Sequence, residues 1–166
     1  MGQNQRFDLR GPWSLIAVDT NILVYAHRED SDWHELASEA VKNLAEGSSL
    51  WAIPWPCLHE FLAIVTHPRI YRPPTPVDQA TKQIGSWLES PTLILLTEDK
   101  AYWQTFELLV NEAKITGAQV HDARIAALCL RGGVRELWSA DRDFSRFSQL
   151  SVRNPLLGDR GGGEGQ

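Results

Sequence analysis

The chain has 166 residues, with 16 Lys and Arg against 21 Asp and Glu for a formal net charge of −5, a length that suits one domain with a single core. A composition of 43% hydrophobic and 22% charged residues marks it as globular rather than disordered. The acidic balance counts against a protein whose whole surface grips nucleic acid or an anionic membrane.

Along the chain, short apolar runs rich in β-formers alternate with stretches of helical period. Residues 15–18 form the first strand, which stops at Asp19, and residues 20–25 suit a short helix. Asp32, with Glu35 three positions on, reads as a capping box opening a helix that Gly47 ends. Residues 50–53 are a second buried strand, closed by Pro54. Pro56 fits the first turn of the next helix, which carries Glu60, Phe61, Ile64 and Val65 until His67-Pro68 stops it. Residues 69–76 hold three prolines and are a loop. From Thr75-Pro76 a helix runs to about residue 89, before a third strand over 93–96. Helices over about 100–113 and 121–131 follow, the second capped by Gly132-Gly133. Leu137-Trp138 belong to a fourth strand ending at Ser139, and residues 150–153 form a last edge strand. Continuous apolar strands separated by helices specify a three-layer α/β/α sandwich around a central, mostly parallel sheet. The ordered domain is expected over residues 13–155, between flexible ends at 1–12 and 156–166.

Cys57 and Cys129 lie in apolar stretches and outside any Cys-x-x-Cys or Cys/His cluster, so neither a disulfide framework nor a zinc site is expected. No apolar run approaches the roughly 20 residues of a bilayer span. Residues 1–12 also lack the apolar region of a signal peptide, so a cytoplasmic protein with no membrane association is expected.

In an open parallel sheet, ligands bind beyond the carboxyl ends of the strands. Asp19 directly follows the first strand, and Asp141 stands two residues beyond Ser139, the end of the fourth. Glu60 lies near the start of the helix after the second strand, and Asp122 lies in the first turn of the helix from 121. Four acids from four distant segments can therefore meet at one edge. Two carboxylates about 4 Å apart repel by roughly 4 kcal/mol at an effective dielectric near 20, so such a cluster needs protons or cations. Hard oxygen ligands suit Mg²⁺ or Mn²⁺, which can lower the pKa of a water and stabilise the leaving oxygen in a phosphoryl displacement. Each acid also has a plainer reading. Asp19 could be a helix N-cap, Glu60 a solvated or paired group, Asp122 a partner of the helix dipole, and Asp141 with Asp143 an Asx turn.

Four stretches together resemble one family. Ala17-Val18-Asp19-Thr20-Asn21-Ile22-Leu23 is similar to the opening motif of PIN-domain ribonucleases. Residues 54–61, Pro-Trp-Pro-Cys-Leu-His-Glu-Phe, and the following 65–69 resemble the second-acid region of VapC-type toxins from bacterial toxin-antitoxin pairs. Residues 120–128 resemble the third motif, and Ser139-Ala140-Asp141-Arg142-Asp143-Phe144 the fourth. The resemblance implies that Asp19, Glu60, Asp122 and Asp141 form an acidic quartet that binds Mg²⁺ or Mn²⁺ and cleaves RNA. It makes Asp143 a further acid at the metal, and Asn21 and Ser139 orienting groups. Ser139 replaces the more common Thr but keeps the hydroxyl. A metal-dependent endoribonuclease follows, inhibited by a cognate VapB-like antitoxin that brings a cation near the carboxylates, with the toxin itself a homodimer. A PIN ribonuclease with an RNA-processing rather than toxin role is one alternative, and a non-enzymatic Mg²⁺-binding switch another.

Trp51 and Trp138, in strands, are expected in the core, and Trp13 and Trp33 nearer the surface. Arg69, Arg72, Arg124, Arg142 and Arg146 lie close to the acidic motifs. Arg69 and Arg72, in the proline-rich loop, are read as contacts to the RNA backbone, and Arg124 equally as a salt-bridge partner. His27, His59 and His121 flank site residues but receive no catalytic role. A non-enzymatic, receiver-like Mg²⁺ switch would need a lysine beside the acids, whereas Lys42, Lys82, Lys100 and Lys114 fall in helices or their flanks. A phosphomonoesterase of the Asp-x-Asp-x-Thr type is disfavoured because Thr20-Asn21 follows Asp19. With the quartet's charge cancelled by metal, the remaining surface is near balance. The net acidity is then partly a signature of the site.

Overall fold

Each strand of the sheet runs parallel to its neighbours, in the order β3-β2-β1-β4-β5. The computed structural model describes residues 14–158, so Trp13 and the termini at 1–12 and 159–166 lie outside the described residues. The strands are β1 (Ile16–Val18), β2 (Trp51–Pro54), β3 (Leu93–Leu96), β4 (Glu136–Trp138) and β5 (Val152–Arg153). Between them run α1 (Thr20–His27), α2 (His34–Glu46), α3 (Trp55–Val65), α4 (Val77–Leu88), α5 (Tyr102–Glu112) and α6 (Gln119–Arg131). Parallel strands need crossover helices, and right-handed crossovers place those helices on both faces. Helices α1 to α4 pack against one another, as α5 does against α6. All four residues of β2 are buried, as expected for a strand covered on both sides.

Chain order reverses direction between β1 and β4, which makes the gap beyond their carboxyl ends the switch point of the sheet. Register sets what meets there. Val18 pairs with Trp138, and the Asp19 backbone N–H donates to the Trp138 carbonyl at 2.9 Å. The residues following the two strands, Asp19 and Ser139, are thereby brought side by side.

A core of Val18, Ile22, Leu23, Trp51, Ile53, Phe61, Leu128 and Leu137 holds this edge in place. Trp51 is fully buried, and its indole N–H donates to Ser90 Oγ at 3.0 Å. Trp138 is only half-buried, contrary to the expectation from its strand. Leu137 takes the buried face of β4, while Trp138 shares the other side with Glu136 and donates to its Oε1 at 2.8 Å. The expected capping box does not form. A turn closed by the His34 N–H on the Ser31 carbonyl carries the chain one residue farther, leaving Trp33 at the N-cap with no side-chain cap. α6 ends as expected at Gly132, followed by Gly133 at φ 70°, a left-handed conformation that favours glycine. Among the described residues no helix is long and apolar enough to cross a membrane.

Candidate active site

Asp19 is 4% exposed and sits at the N-cap of α1, yet its side chain makes no capping bond to that helix. Its oxygens turn instead towards the neighbouring segments. Ser139 Oγ donates to Asp19 Oδ2 at 2.7 Å, Asn21 Nδ2 approaches the same oxygen at 3.3 Å, and the Cys57 thiol donates to Oδ1 at 3.6 Å. The Ser139 hydroxyl also accepts from the Asp141 backbone N–H at 3.0 Å and from Asn21 Nδ2 at 3.2 Å. One proton and two lone pairs are thus all used. Asn21 Oδ1 accepts from the Ala140 N–H at 3.1 Å, which clips the start of α1 to the loop after β4.

None of these partners carries positive charge. Burial pushes the Asp19 carboxyl up to about 6, with the charge of Glu60 adding to the rise. Hydrogen bonds from Ser139 and Cys57 offset part of it. A buried carboxylate held by neutral donors is a group that a cation would stabilise.

The other acids gather in front of it. Asp141 caps a short 3-10 turn, Arg142–Arg146, by accepting the Asp143 N–H at 2.8 Å on Oδ1. That turn brings Asp143 round beside Asp122, in the first turn of α6. Asp122, Asp141 and Asp143 each offer an oxygen within 4.8 Å of the others. At that spacing a pair of charges repels by about 3.5 kcal/mol at an effective dielectric of 20. Asp122, half-buried, has its pKa raised by desolvation and then by the charges of Asp141 and Asp143, with Arg146 opposing them and Glu60 adding. Arg146 is itself bound to Asp143, with Nε donating to the backbone carbonyl at 2.9 Å and Nη2 lying 3.6 Å from Oδ1. Oxygen-only donors at this spacing fit a hard divalent cation better than a soft metal. Glu60 is exposed on α3, and the buried Thr20 hydroxyl donates to its Oε2 at 3.0 Å.

Two clefts flank the acids. One, of about 550 Å³, is lined by Glu60 and Asp122 together with His59, His121 and Arg124. The other, of about 610 Å³, is lined by Ser139, Asp141, Arg142, Ser145 and Asn154. Glu60 and Asp122 line one cleft and Asp141 the other, while Asn21 and Ser139 stand at Asp19, with Ser139 also bonded to the Asp141 N–H. Asp143 belongs with Asp122 and Asp141 to the close acidic group among the described residues. Arg69 and Arg72 are exposed on the loop after α3 and line neither cleft. Arg124 forms the ion pair allowed for it, with Glu98. Sequence reasoning passed over Thr20 and Cys57. Cys57 lies one helical turn before Glu60, a spacing that puts both on the face of α3 nearest this edge.

Comparison with known proteins bears on the family and the fold. Residues 16–150 match the family profile described as PIN domain. The chain is 33% identical over 144 residues to ribonuclease VapC43 of Mycobacterium tuberculosis, covering 87% of this chain and 97% of that protein. Ribonuclease VapC48 of the same organism is 29% identical over 140 residues, covering 84% and 97%. Among solved structures, VapBC2 from Rickettsia felis, bound to a DNA fragment from their promoter, shares the fold with a TM-score of 0.63 at 19% identity, over 84% of this chain and 97% of that one. A parallel sheet whose switch point gathers acids, within a profile that spans most of the chain, makes this protein a member of the PIN-domain family.

Proposed function

We propose that the chain is a metal-dependent endoribonuclease, the toxin of a VapBC-like pair. The observation that carries this reading is the triple of Asp122, Asp141 and Asp143 within 4.8 Å of one another, joined to the buried Asp19 through Ser139, which bonds Asp19 and the Asp141 N–H. The ribonuclease names of relatives about 30% identical over most of the chain support it. Asp122, Asp141 and Asp143, with Asp19 and Glu60, would hold Mg²⁺ or Mn²⁺. Such a cation, when bound, supplies Lewis-acid charge that makes a water more acidic and neutralises charge developing on phosphate oxygens.

The chain's own residues prepare that site. Ser139 and Asn21 fix the Asp19 carboxylate through Oδ2, so it needs no reorientation when substrate arrives. Thr20 steadies Glu60 in the same way. Asp143 adds a third carboxylate to the group and is itself restrained by Arg146. Arg124 and Arg142 line the clefts and are better placed than Arg69 and Arg72 to meet the RNA backbone. No lysine lines either cleft, which counts against the receiver-like switch. A VapB-like antitoxin would inhibit by covering the clefts and placing a cation among the carboxylates, and the toxin would form a homodimer. The test is incubation of purified protein with total RNA and Mg²⁺ or Mn²⁺. Cleavage is expected, and EDTA or Asp141→Asn is expected to abolish it. Cleavage that persists undiminished in both would refute the assignment.

A further inference from the structure

We propose that the cleft between α3 and α6 is a one-sided base-stacking subsite, in which the His59 ring, backed by Trp55, holds one nucleobase of single-stranded RNA beside the acids. This rests on the ribonuclease reading. His59 and Trp55 stand one turn apart at the start of α3, with ring centroids 6.2 Å apart and planes at 27°. Trp55 is half-buried and packed against the core, whereas His59 is exposed. The imidazole is therefore flanked by the indole on one side, and it lines the cleft. The buried aromatic contacts, Phe61 with Trp87 at 4.9 Å and with His27 at 5.3 Å and Phe144 with Phe147 at 6.3 Å, do not involve His59.

His59 immediately precedes Glu60, and both line the same cleft as Asp122. A base stacked on His59 would thus lie next to the acids. An exposed aromatic that lines a cleft suits single-stranded recognition, since every base has a π-face and unpaired bases can be splayed onto it. Arg124 lines the same cleft and is held by Glu98, which keeps a fixed cation where the sugar-phosphate chain would pass. The cleft beside Asp141 has no aromatic residue in its lining. The geometry therefore points to stacking on one side of the cleaved bond only.

The experiment uses an RNA oligonucleotide spanning the strongest site the protein cuts in total bacterial RNA, with Mn²⁺ present. Wild type, His59→Ala and His59→Phe are compared, with equal melting temperatures confirming that each is folded. His59→Ala is expected to raise KM about tenfold, the loss of one base stack, with kcat changed less than about twofold. His59→Phe is expected to restore KM to within about twofold, because it keeps an aromatic face. An abasic nucleotide moved along the oligonucleotide should raise the wild-type KM at one position, on one side of the cut, and have no further effect there in His59→Ala. An unchanged KM in His59→Ala, failure of Phe to rescue, or an abasic effect undiminished in His59→Ala would overturn the stacking subsite and leave the ribonuclease reading intact. A wild-type protein that does not cut RNA with Mg²⁺ or Mn²⁺ would overturn the reading itself, and the subsite with it.

Discussion

Asp19→Asn is expected to stabilise the metal-free protein at neutral pH, because it removes a charge that the fold holds at a cost. Burial raises the Asp19 pKa from 3.8 to about 6. At about 1.4 kcal/mol per pKa unit, ionising this group costs the folded state about 3 kcal/mol. The direction follows from the two titrations. Between pH 4 and 6, approximately, the folded state keeps a proton that the unfolded chain has lost. Wild-type stability attributable to this carboxyl therefore falls as pH rises through that window and stays low above it. Asn occupies the same volume and can keep its oxygen towards Ser139 and Asn21, turning its amide towards the Cys57 sulfur, at a cost of about 1 kcal/mol. The variant should be about 2 kcal/mol more stable than wild type at pH 8 in EDTA, and no more stable at pH 4. Urea denaturation of both proteins across pH, in EDTA, reads the difference and cancels the surface carboxylates common to both. A variant no more stable than wild type at pH 8, or a difference that does not vary with pH, would refute the electrostatic account of Asp19.

Three other substitutions probe the rest of the site and its surroundings. Ser139→Ala removes the donor to Asp19 and strands the Asp141 N–H; it is expected to cost about 1–3 kcal/mol in denaturation and to slow RNA cleavage at least tenfold, with Ser139→Thr recovering most of both. Asp143→Asn should weaken Mn²⁺ binding, measured by calorimetry, by at least about tenfold, since even outer-shell losses reach that size. Arg131→Ala breaks an ion pair with Asp99 whose side chains are 40% and 58% exposed; it should change stability by less than about 0.5 kcal/mol and leave cleavage unaltered.

The strands were legible because buried parallel strands are written as unbroken apolar runs, as in Trp51–Pro54. Asp19 and Asp141 followed from their places just beyond two such runs, without knowledge of any contact. The links that turn those places into a site were less legible, because they span the chain. Ser139 reaches Asp19 across 120 residues, and Thr20 reaches Glu60 across 40. A hydroxyl or thiol partner leaves no periodic trace, so Thr20 and Cys57 read as ordinary helix residues. Asp143 joins the closest group through a 3-10 turn too short to announce itself in hydrophobic pattern. Local signals misled where a neighbouring turn overrode them. Asp32 and Glu35 have capping-box spacing, but the turn closed at Ser31 shifts the helix start by one residue. Trp138 alternates outward from Leu137 in a strand of only three residues, so its bulk does not earn full burial.

Carboxylates acting through a divalent cation would direct water at a phosphodiester, whereas His59 and His121, in the same cleft, would instead activate the ribose 2′-hydroxyl. The chemistry of the cut ends separates the two most directly. Attack by water leaves linear phosphomonoester ends, whereas attack by the 2′-hydroxyl leaves a 2′,3′-cyclic phosphate. Mass spectrometry of the products from an RNA oligonucleotide cut with Mn²⁺ is predicted to find only linear ends, formed by wild type and not by Asp141→Asn. A 2′,3′-cyclic phosphate formed equally by wild type and Asp141→Asn would contradict the account.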